Sequence, residues 1–146
     1  MDRSPYKARS ERAVHLLFYC QLRMPPENNL NSPYAVIIED DPKLSVIYQI
    51  TLEQAGYRTA LDINGNNYRS LLDSAKPDLI ILDIHLPFAS GVDILNEIRD
   101  KFSDTIIAIT TADFVKAKTM QGTADHILIK PVSVASLLKI AEAAKG

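Results

Sequence analysis

The chain has 146 residues, which is enough for one domain and too few for two comfortable ones. Its apolar content of 47%, charged content of 23% and net charge of −2 are ordinary for a globular protein. We therefore expect no nucleic-acid partner, because such a partner requires a basic face. The single cysteine, Cys20, excludes an internal disulfide and favours a reducing, cytoplasmic location.

Residues 1–33 differ in composition from the rest and are predicted to form an N-terminal extension. Ser10 as N-cap and Pro25 as a stop predict a helix over residues 10–24, followed by a linker. The apolar stretch Ala13–Cys20 is too short to cross a bilayer, and no cleavage pattern of a secretory signal follows it. We expect no membrane insertion. The helix is interpreted as accessory or part of a terminal tail, with a docking or homodimerisation helix as the alternative.

From residue 34 to residue 146, strands and helices alternate, which predicts a single domain. The predicted strands are Tyr34–Ile38, Tyr57–Leu61, Asp78–Asp83, Ile106–Thr110 and Ile127–Ile129. The predicted helices are Pro42–Gln54, a short helix ending at Ala75, Val92–Lys101, an uncertain stretch over Asp113–Gly122, and Ser133–Lys145. Five βα units in series predict a parallel sheet covered by helices on both faces.

Charged residues directly follow three of these strands. They are Glu39, Asp40 and Asp41 after the first strand, Asp83 at the end of the third, and Lys130 after the fifth. Ligands of an open parallel sheet bind at the carboxyl ends of the strands, so these side chains are expected to meet at one edge. Crowded carboxylates repel one another, and a hard divalent cation with oxygen ligands relieves that repulsion. The pattern therefore predicts a Mg2+ site, with Asp41 interpreted mainly as a helix cap and alternatively as a metal ligand.

The same cluster favours chemistry on a phosphoryl group. A metal ion held by Asp40 and Asp83 leaves one oxygen of Asp83 free as a nucleophile. Lys130 and the metal ion can neutralise the charge of an incoming phosphoryl group. A hydroxyl near the end of the fourth strand, Thr110 or Thr111, can donate a hydrogen bond to a phosphoryl oxygen.

Four segments carry these residues: AVIIEDDPKLS, PDLIILDIHLPFASGVDILNEIRD, IIAITTAD and ADHILIKPVSVASLL. Together they resemble the receiver domain of two-component response regulators over residues 34–145. The specific signal is the ordered set of acidic pair, strand-end Asp, Leu-Pro, Gly, Thr-Ala and Lys-Pro. The resemblance implies an α/β flavodoxin-like (βα)5 doubly wound sandwich, with a central five-stranded parallel sheet in the order 2-1-3-4-5. It also implies a phosphoacceptor domain of a phosphorelay rather than an enzyme.

The resemblance assigns a role to each acidic position. Asp83 matches the phosphoacceptor, which takes a phosphoryl group from a histidine kinase or a histidine phosphotransfer protein. Asp40, Asp83 and the backbone carbonyl of His85 match the direct Mg2+ ligands, and Glu39 matches the acid that acts through water. In the family the position of His85 borders the phosphoryl group, and a half-exposed loop histidine is the alternative interpretation of this side chain. Asp113, two residues after Thr111, is expected to border the same site.

The resemblance also assigns the hydroxyl and the lysine. Thr111 matches the switch hydroxyl, although the look of the preceding apolar run favours Thr110. Only one of the two can serve well, because neighbouring strand residues point to opposite faces. Lys130 matches the lysine that pairs with phosphate, and its bond to Pro131 is cis in the family.

Two features depart from the family pattern. Lys130 follows Thr111 by only 19 residues, so a short or irregular fourth helix is expected. Ile127 stands where the family carries an aromatic residue that relays phosphorylation to the surface. A pseudo-receiver, an interaction module that does not depend on phosphorylation, is therefore the alternative function. A phosphohydrolase is a weaker third hypothesis, since it requires a second catalytic Asp at the position of His85.

The leading hypothesis is a phosphorylatable switch that signals by protein contact. Since no output domain follows Lys145 in this sequence, we expect it to act by protein contact alone, on a downstream partner that the sequence does not identify. The alternatives are a stand-alone regulator, a phosphate shuttle and a domain cut from a larger protein, and the sequence does not choose among them.

Overall fold

Five parallel strands form the centre of the computed structural model, which describes residues 30–146. The strands are β1 Tyr34–Ile38, β2 Arg58–Asp62, β3 Leu79–Asp83, β4 Ile106–Thr111 and β5 His126–Ile129. Between and after them lie α1 Pro42–Gln54, α2 Tyr68–Ser74, α3 Gly91–Lys101, α4 Phe114–Thr119 and α5 Val134–Ala144. The strand order β2-β1-β3-β4-β5 confirms the predicted flavodoxin-like sandwich. The helix predicted over residues 10–24 lies outside the described residues.

Two apolar layers cover the sheet, one on each face. In β3, Ile80 and Leu82 belong to the layer under α2 and α3, whereas Leu79 and Ile81 belong to the layer under α1 and α5. This alternation follows from the period of two along a strand. Every residue of β1 and β3 is buried, which explains why both strands read as unbroken apolar runs.

Helices begin at the edge of the sheet where the strands end. Asp41 caps α1 by accepting hydrogen bonds from the backbone N–H groups of Lys43 and Leu44, at 2.8 and 3.1 Å. Ser133 caps α5 in the same way through the N–H of Ser136 at 3.0 Å. Both caps were expected from the sequence, and they place the start of each helix beside the acidic cluster.

The fourth helix is short, as the spacing between Thr111 and Lys130 predicts. It spans six residues, Phe114–Thr119, and its N-cap is Asp113, whose carboxylate accepts from the N–H of Lys116 at 2.9 Å. Asp113 is therefore engaged as a helix cap. None of the helices within residues 30–146 is both long and apolar enough to span a membrane.

The second strand reads weakly in the sequence because it lies at the edge of the sheet and most of its residues are only partly buried. It ends at Asp62, one residue later than predicted. The buried carboxylate of Asp62 accepts four backbone N–H bonds, from Asn64, Gly65, Asn67 and Tyr68. These bonds shape the loop before α2, a role that the sequence did not reveal.

Candidate functional site

Glu39 and Asp83 lie side by side at the carboxyl end of the sheet. Ile38 pairs with Leu82 in the parallel ladder, so the next residues of β1 and β3 stand at the same level. Only 1% of Glu39 and 2% of Asp83 is exposed to solvent. Two buried carboxylates at such positions need compensating charges or hydrogen bonds, because burial of an isolated ion is costly.

Lys130 supplies that compensation from the residue after β5. Its Nζ donates to Asp83 Oδ2 at 2.8 Å and to Glu39 Oε1 at 3.2 Å. Glu39 Oε2 lies 3.0 Å from the same Nζ, but it makes no hydrogen bond and is buried. The Lys130–Pro131 peptide bond is cis, as the resemblance implies.

The site charges shift one another's pKa values. Burial raises the pKa of Glu39 to about 7; the hydrogen bond from Lys130 opposes this shift, and the charge of Asp83 adds to it. Burial lowers the pKa of Lys130, but its hydrogen bonds to Asp83 and Glu39 outweigh that effect and leave the pKa raised. The charge of Asp83 therefore acts on Glu39 as expected, but burial is the main reason that the pKa of Glu39 stays raised beside Lys130.

An oxygen donor set for a cation is in place. Glu39, Asp40 and Asp83 each offer a carboxylate oxygen, and these oxygens lie within 4.8 Å of one another. Asp40 is exposed, so the set opens to solvent on one side. Hard oxygen ligands with an open side suit Mg2+, which keeps several waters when bound. The buried Glu39 Oε2, which has no hydrogen-bond partner, also fits a site where a cation or its water supplies the missing interaction.

The backbone after β3 is tightly positioned. The N–H of His85 donates to Asp83 Oδ1 at 2.8 Å, and His85 forms an isolated antiparallel bridge with Ser90. A Cβ atom on Gly91 would lie 2.6 Å from Ile84 Cα and 2.8 Å from the carbonyl oxygen of Asp83. The motif has glycine at position 91 because the backbone of Gly91 packs closely against the backbone of Asp83 and Ile84, directly behind the site.

The two candidate threonines occupy different places. Thr110 pairs with Asp83 in the ladder, and by alternation it continues the face of the sheet that carries Ala108. Its buried Oγ1 has no hydrogen-bond partner. Thr111 pairs with Ile129 in the ladder between β4 and β5. It is therefore the last residue of β4, one residue beyond the predicted end of the strand. Its Oγ1 accepts from the N–H of Asp113 at 3.0 Å, which leaves its own proton available for donation.

Sequence reasoning missed Tyr48, a core residue of α1. Its side chain is 1% exposed, and its hydroxyl has no hydrogen-bond partner. The only indication in the sequence is that a tyrosine stands on the buried face of the helix, at a position where an apolar residue would pack equally well.

The sequence profile of the response regulator receiver domain matches residues 35–142. The chain belongs to this family. Receiver domains are signalling modules of two-component systems and bind Mg2+ at an acidic pocket, and the cluster of Glu39, Asp40 and Asp83 corresponds to such a pocket in this receiver.

Solved receiver structures share the fold. Chemotaxis response regulator CheY4 of Vibrio cholerae is 23% identical, with a TM-score of 0.70 over 78% of this chain and 99% of that one. Response regulator TrrA of Thermotoga maritima, solved in complex with Mg2+ and BeF, is 26% identical, with a TM-score of 0.68 over 77% and 98%. The receiver domain of Francisella response regulator 1452 is 22% identical, with a TM-score of 0.69 over 77% and 95%.

Proposed function

We propose that this receiver is a phosphorylatable switch that accepts a phosphoryl group on Asp83. The donor is a histidine kinase or a histidine phosphotransfer protein, and the output is contact with a downstream protein. The proposal is carried by one observation: Asp83 is buried at the sheet edge between the ammonium of Lys130 and the acidic pair. In this proposal the receiver domain covers residues 34–146 of a cytoplasmic protein, and residues 1–33 are an extension.

The chemistry is a direct phosphoryl transfer. A carboxylate oxygen of Asp83 attacks the phosphorus of a phosphohistidine, the P–N bond breaks, and the imidazole leaves with the bonding electron pair. Lys130 already lies 2.8 Å from Asp83 Oδ2, so its ammonium is placed to follow the negative charge onto the new acyl phosphate. Mg2+, when bound by Asp40, Asp83 and the His85 carbonyl, with Glu39 acting through water, supplies further neutralisation of that charge.

Thr111 is the proposed switch hydroxyl. Its oxygen accepts one hydrogen bond from the backbone of Asp113, so its O–H is free to donate to a phosphoryl oxygen. A donation of this kind draws the end of β4 toward Asp83. Since Asp113 caps α4, movement at Thr111 is transmitted to the start of that helix.

The pseudo-receiver is retained as a second candidate because of the region after β4. The helix α4 has only six residues. Ile127 is partly buried against the layer that carries Ile107 and Ile109, so this position holds an aliphatic packing residue. A receiver with these features can keep the fold while its partner contacts are independent of phosphate.

The two candidates are separated by incubation with acetyl phosphate and Mg2+, followed by intact mass measurement. We expect one phosphoryl group on the wild type and none on Asp83→Ala, with Asp100→Asn as the control for an exposed acid on α3. If neither acetyl phosphate nor BeF with Mg2+ modifies or binds the wild type, the switch is wrong and the pseudo-receiver stands.

A further inference from the structure

The helix α1 carries polar side chains on its buried face and apolar side chains on its outer face. Its buried residues, three of which carry a hydroxyl, are Ser45, Tyr48, Thr51 and Leu52. Ile50 lies four residues after Val46 and three after Ile47, so these three share the opposite side of the helix and are called the outer stripe here. Val46 and Ile47 are 46% and 45% exposed, and Ile50 is partly buried. A helix that covers a sheet normally turns its apolar side inward, so the outer stripe calls for a partner.

The length of α1 suits a second helix as that partner. Its 13 residues span about 20 Å. Among residues 30–146, Phe114 and Val115 are another exposed apolar pair on a helix, but they lie on α4, whose six residues span only about 9 Å. The helix predicted over residues 10–24 would be about 22 Å long. It therefore matches α1 in length and exceeds α4 by more than twofold.

The chain that precedes β1 leaves the domain beside the end of α1. The N–H of Arg58 donates to the carbonyl of Pro33 at 2.8 Å, and Arg58 follows Gln54, the last residue of α1, by four positions. Between Met24 and Pro33, residues 25–32 span at most about 28 Å when extended. A helix that ends at Met24 is therefore within reach of the outer stripe.

Charge favours one direction for that helix. Residues 1–29 contain five basic and three acidic residues, a net charge of +2, whereas residues 30–146 contain eleven and fifteen, a net charge of −4. The basic residues are concentrated before and at the start of the predicted helix, at Arg3, Lys7, Arg9 and Arg12. The helix α1 begins directly after the exposed acids Asp40 and Asp41. Two helices that run parallel place the basic start of one beside the acids that precede the other.

We propose that residues 10–24 of this chain form a helix that docks on the outer stripe of α1. The apolar side chains available for the contact are those of Ala13, Val14, Leu16, Leu17, Phe18 and Leu22. The covalent link favours this occupant over a separate molecule, because linked partners meet at a high effective concentration. The docked segment covers the outer face of α1 and keeps other proteins from it until the segment is released.

Cross-linking from Cys20 tests the contact in the full chain. Cys20 is the single cysteine, so an engineered second cysteine gives one defined pair. Gln54→Cys lies one turn beyond Ile50 at an exposed position and leaves the outer stripe intact. Asp100→Cys is the matched control, because it is exposed near the end of α3, which covers the opposite face of the sheet. With a short bis-maleimide reagent, we expect an intramolecular cross-link to form about tenfold faster in Gln54→Cys than in Asp100→Cys.

A second substitution tests the outer stripe itself. Ile47→Ser, added to Gln54→Cys, is expected to slow the cross-link to the rate of Asp100→Cys, because the apolar contact is lost. Val115→Ser, added to Gln54→Cys, changes an exposed apolar residue on α4 and should leave the rate unchanged. Thermal melts show that each variant is folded, and Ile47→Ser should lower the melting temperature more than Val115→Ser does.

Three results overturn the inference. Equal rates in Gln54→Cys and Asp100→Cys would show that the segment samples both faces of the domain as a free tether. A fast cross-link in Gln54→Cys that Ile47→Ser does not slow would place the segment away from the outer stripe. Cross-linked dimers as the main product, in a fraction that rises with protein concentration, would assign the outer stripe to a second copy of the chain. None of these results depends on phosphorylation, so the inference and the proposed function can fail separately.

Discussion

Lys130 and Asp83 form a buried ion pair at the carboxyl end of the sheet, with 2.8 Å between Nζ and Oδ2. The side chains of Lys130 and Asp83 are 18% and 3% exposed, so solvent screens the pair weakly. Lys130 also bridges to Glu39, and one ammonium therefore serves two carboxylates. This arrangement leaves an excess of one negative charge, which favours a bound cation and predicts a lower stability without one.

Replacing Lys130 is expected to destabilise the metal-free protein strongly. Lys130→Met leaves Glu39 and Asp83 buried without their cation, and we expect a loss of about 3 kcal/mol in the free energy of unfolding at pH 8. Urea unfolding with and without Mg2+ measures this loss, and Mg2+ is expected to restore part of it. The control is Lys76→Met, which breaks an exposed pair with Asp104 and costs less than about 1 kcal/mol. Equal losses in both variants would contradict the buried pair.

Removing one acid is expected to stabilise the metal-free protein. Asp40→Asn takes away a charge that repels Glu39 and Asp83, so the melting temperature without Mg2+ rises, while Mg2+ binding is lost with the ligand. Asp100→Asn removes an exposed acid in the last part of α3 and serves as the control. Thermal melts in EDTA and in Mg2+ measure both effects. An unchanged melting temperature for Asp40→Asn would show that its charge is not felt by the site.

The stability of the metal-free protein is expected to fall as the pH rises from about 4.5 to about 7. The pKa of Glu39 is raised from 4.5 to about 7 in the folded state, so the folded protein binds more protons than the unfolded chain in this window. Deprotonation on raising the pH therefore favours unfolding. Urea midpoints measured in EDTA across the window test this, and Glu39→Gln should flatten the dependence. A wild type and a Glu39→Gln variant with the same slope would refute the assignment.

We expect a substitution to alanine to lower the free energy of unfolding more at Gly91 than at Gly122, a glycine with positive φ. Gly91→Ala places a Cβ 2.6 Å from Ile84 Cα, so the backbone behind Asp83 must move, at a cost of about 2 kcal/mol. Gly122→Ala has open space but a φ of +84°, and we expect a cost of about 1 kcal/mol. Urea unfolding compares the two. Mg2+ affinity should fall for Gly91→Ala alone, since only that change displaces a ligand-bearing segment.

The switch hydroxyl is tested by removing each hydroxyl separately. We expect Thr111→Val to slow phosphorylation by acetyl phosphate about tenfold, because a hydrogen bond to a charged oxygen is lost. Thr110→Val removes a buried hydroxyl that has no partner, so its rate should stay close to that of the wild type and its stability should hold or rise. Intact mass measured over time gives both rates. The reverse order of effects would assign the switch to Thr110.

Much of the site could be predicted because its residues stand at the ends of buried strands. The apolar runs before Glu39 and Asp83 are unambiguous, and parallel βα units bring strand ends to one edge whatever the details of packing. The caps of α1 and α5 and the shortness of α4 are local properties, set by Asp41, Ser133 and chain length. These features depend on neighbours in sequence, which is why sequence patterns were sufficient for them.

Other features depend on contacts between distant residues, and only the tertiary structure decided them. The bridge from Lys130 to both carboxylates joins residues 91 and 47 positions apart in the chain. The four N–H bonds to Asp62 depend on how the loop before α2 folds back, and the burial of Tyr48 depends on how α1 lies across the sheet. The sequence by itself determined which charged groups reach the sheet edge. Strand register and helix packing decided which atoms of those groups form contacts. This is because a hydrogen bond forms only within a few tenths of an ångström of its optimal length, and a sequence pattern does not fix positions that closely.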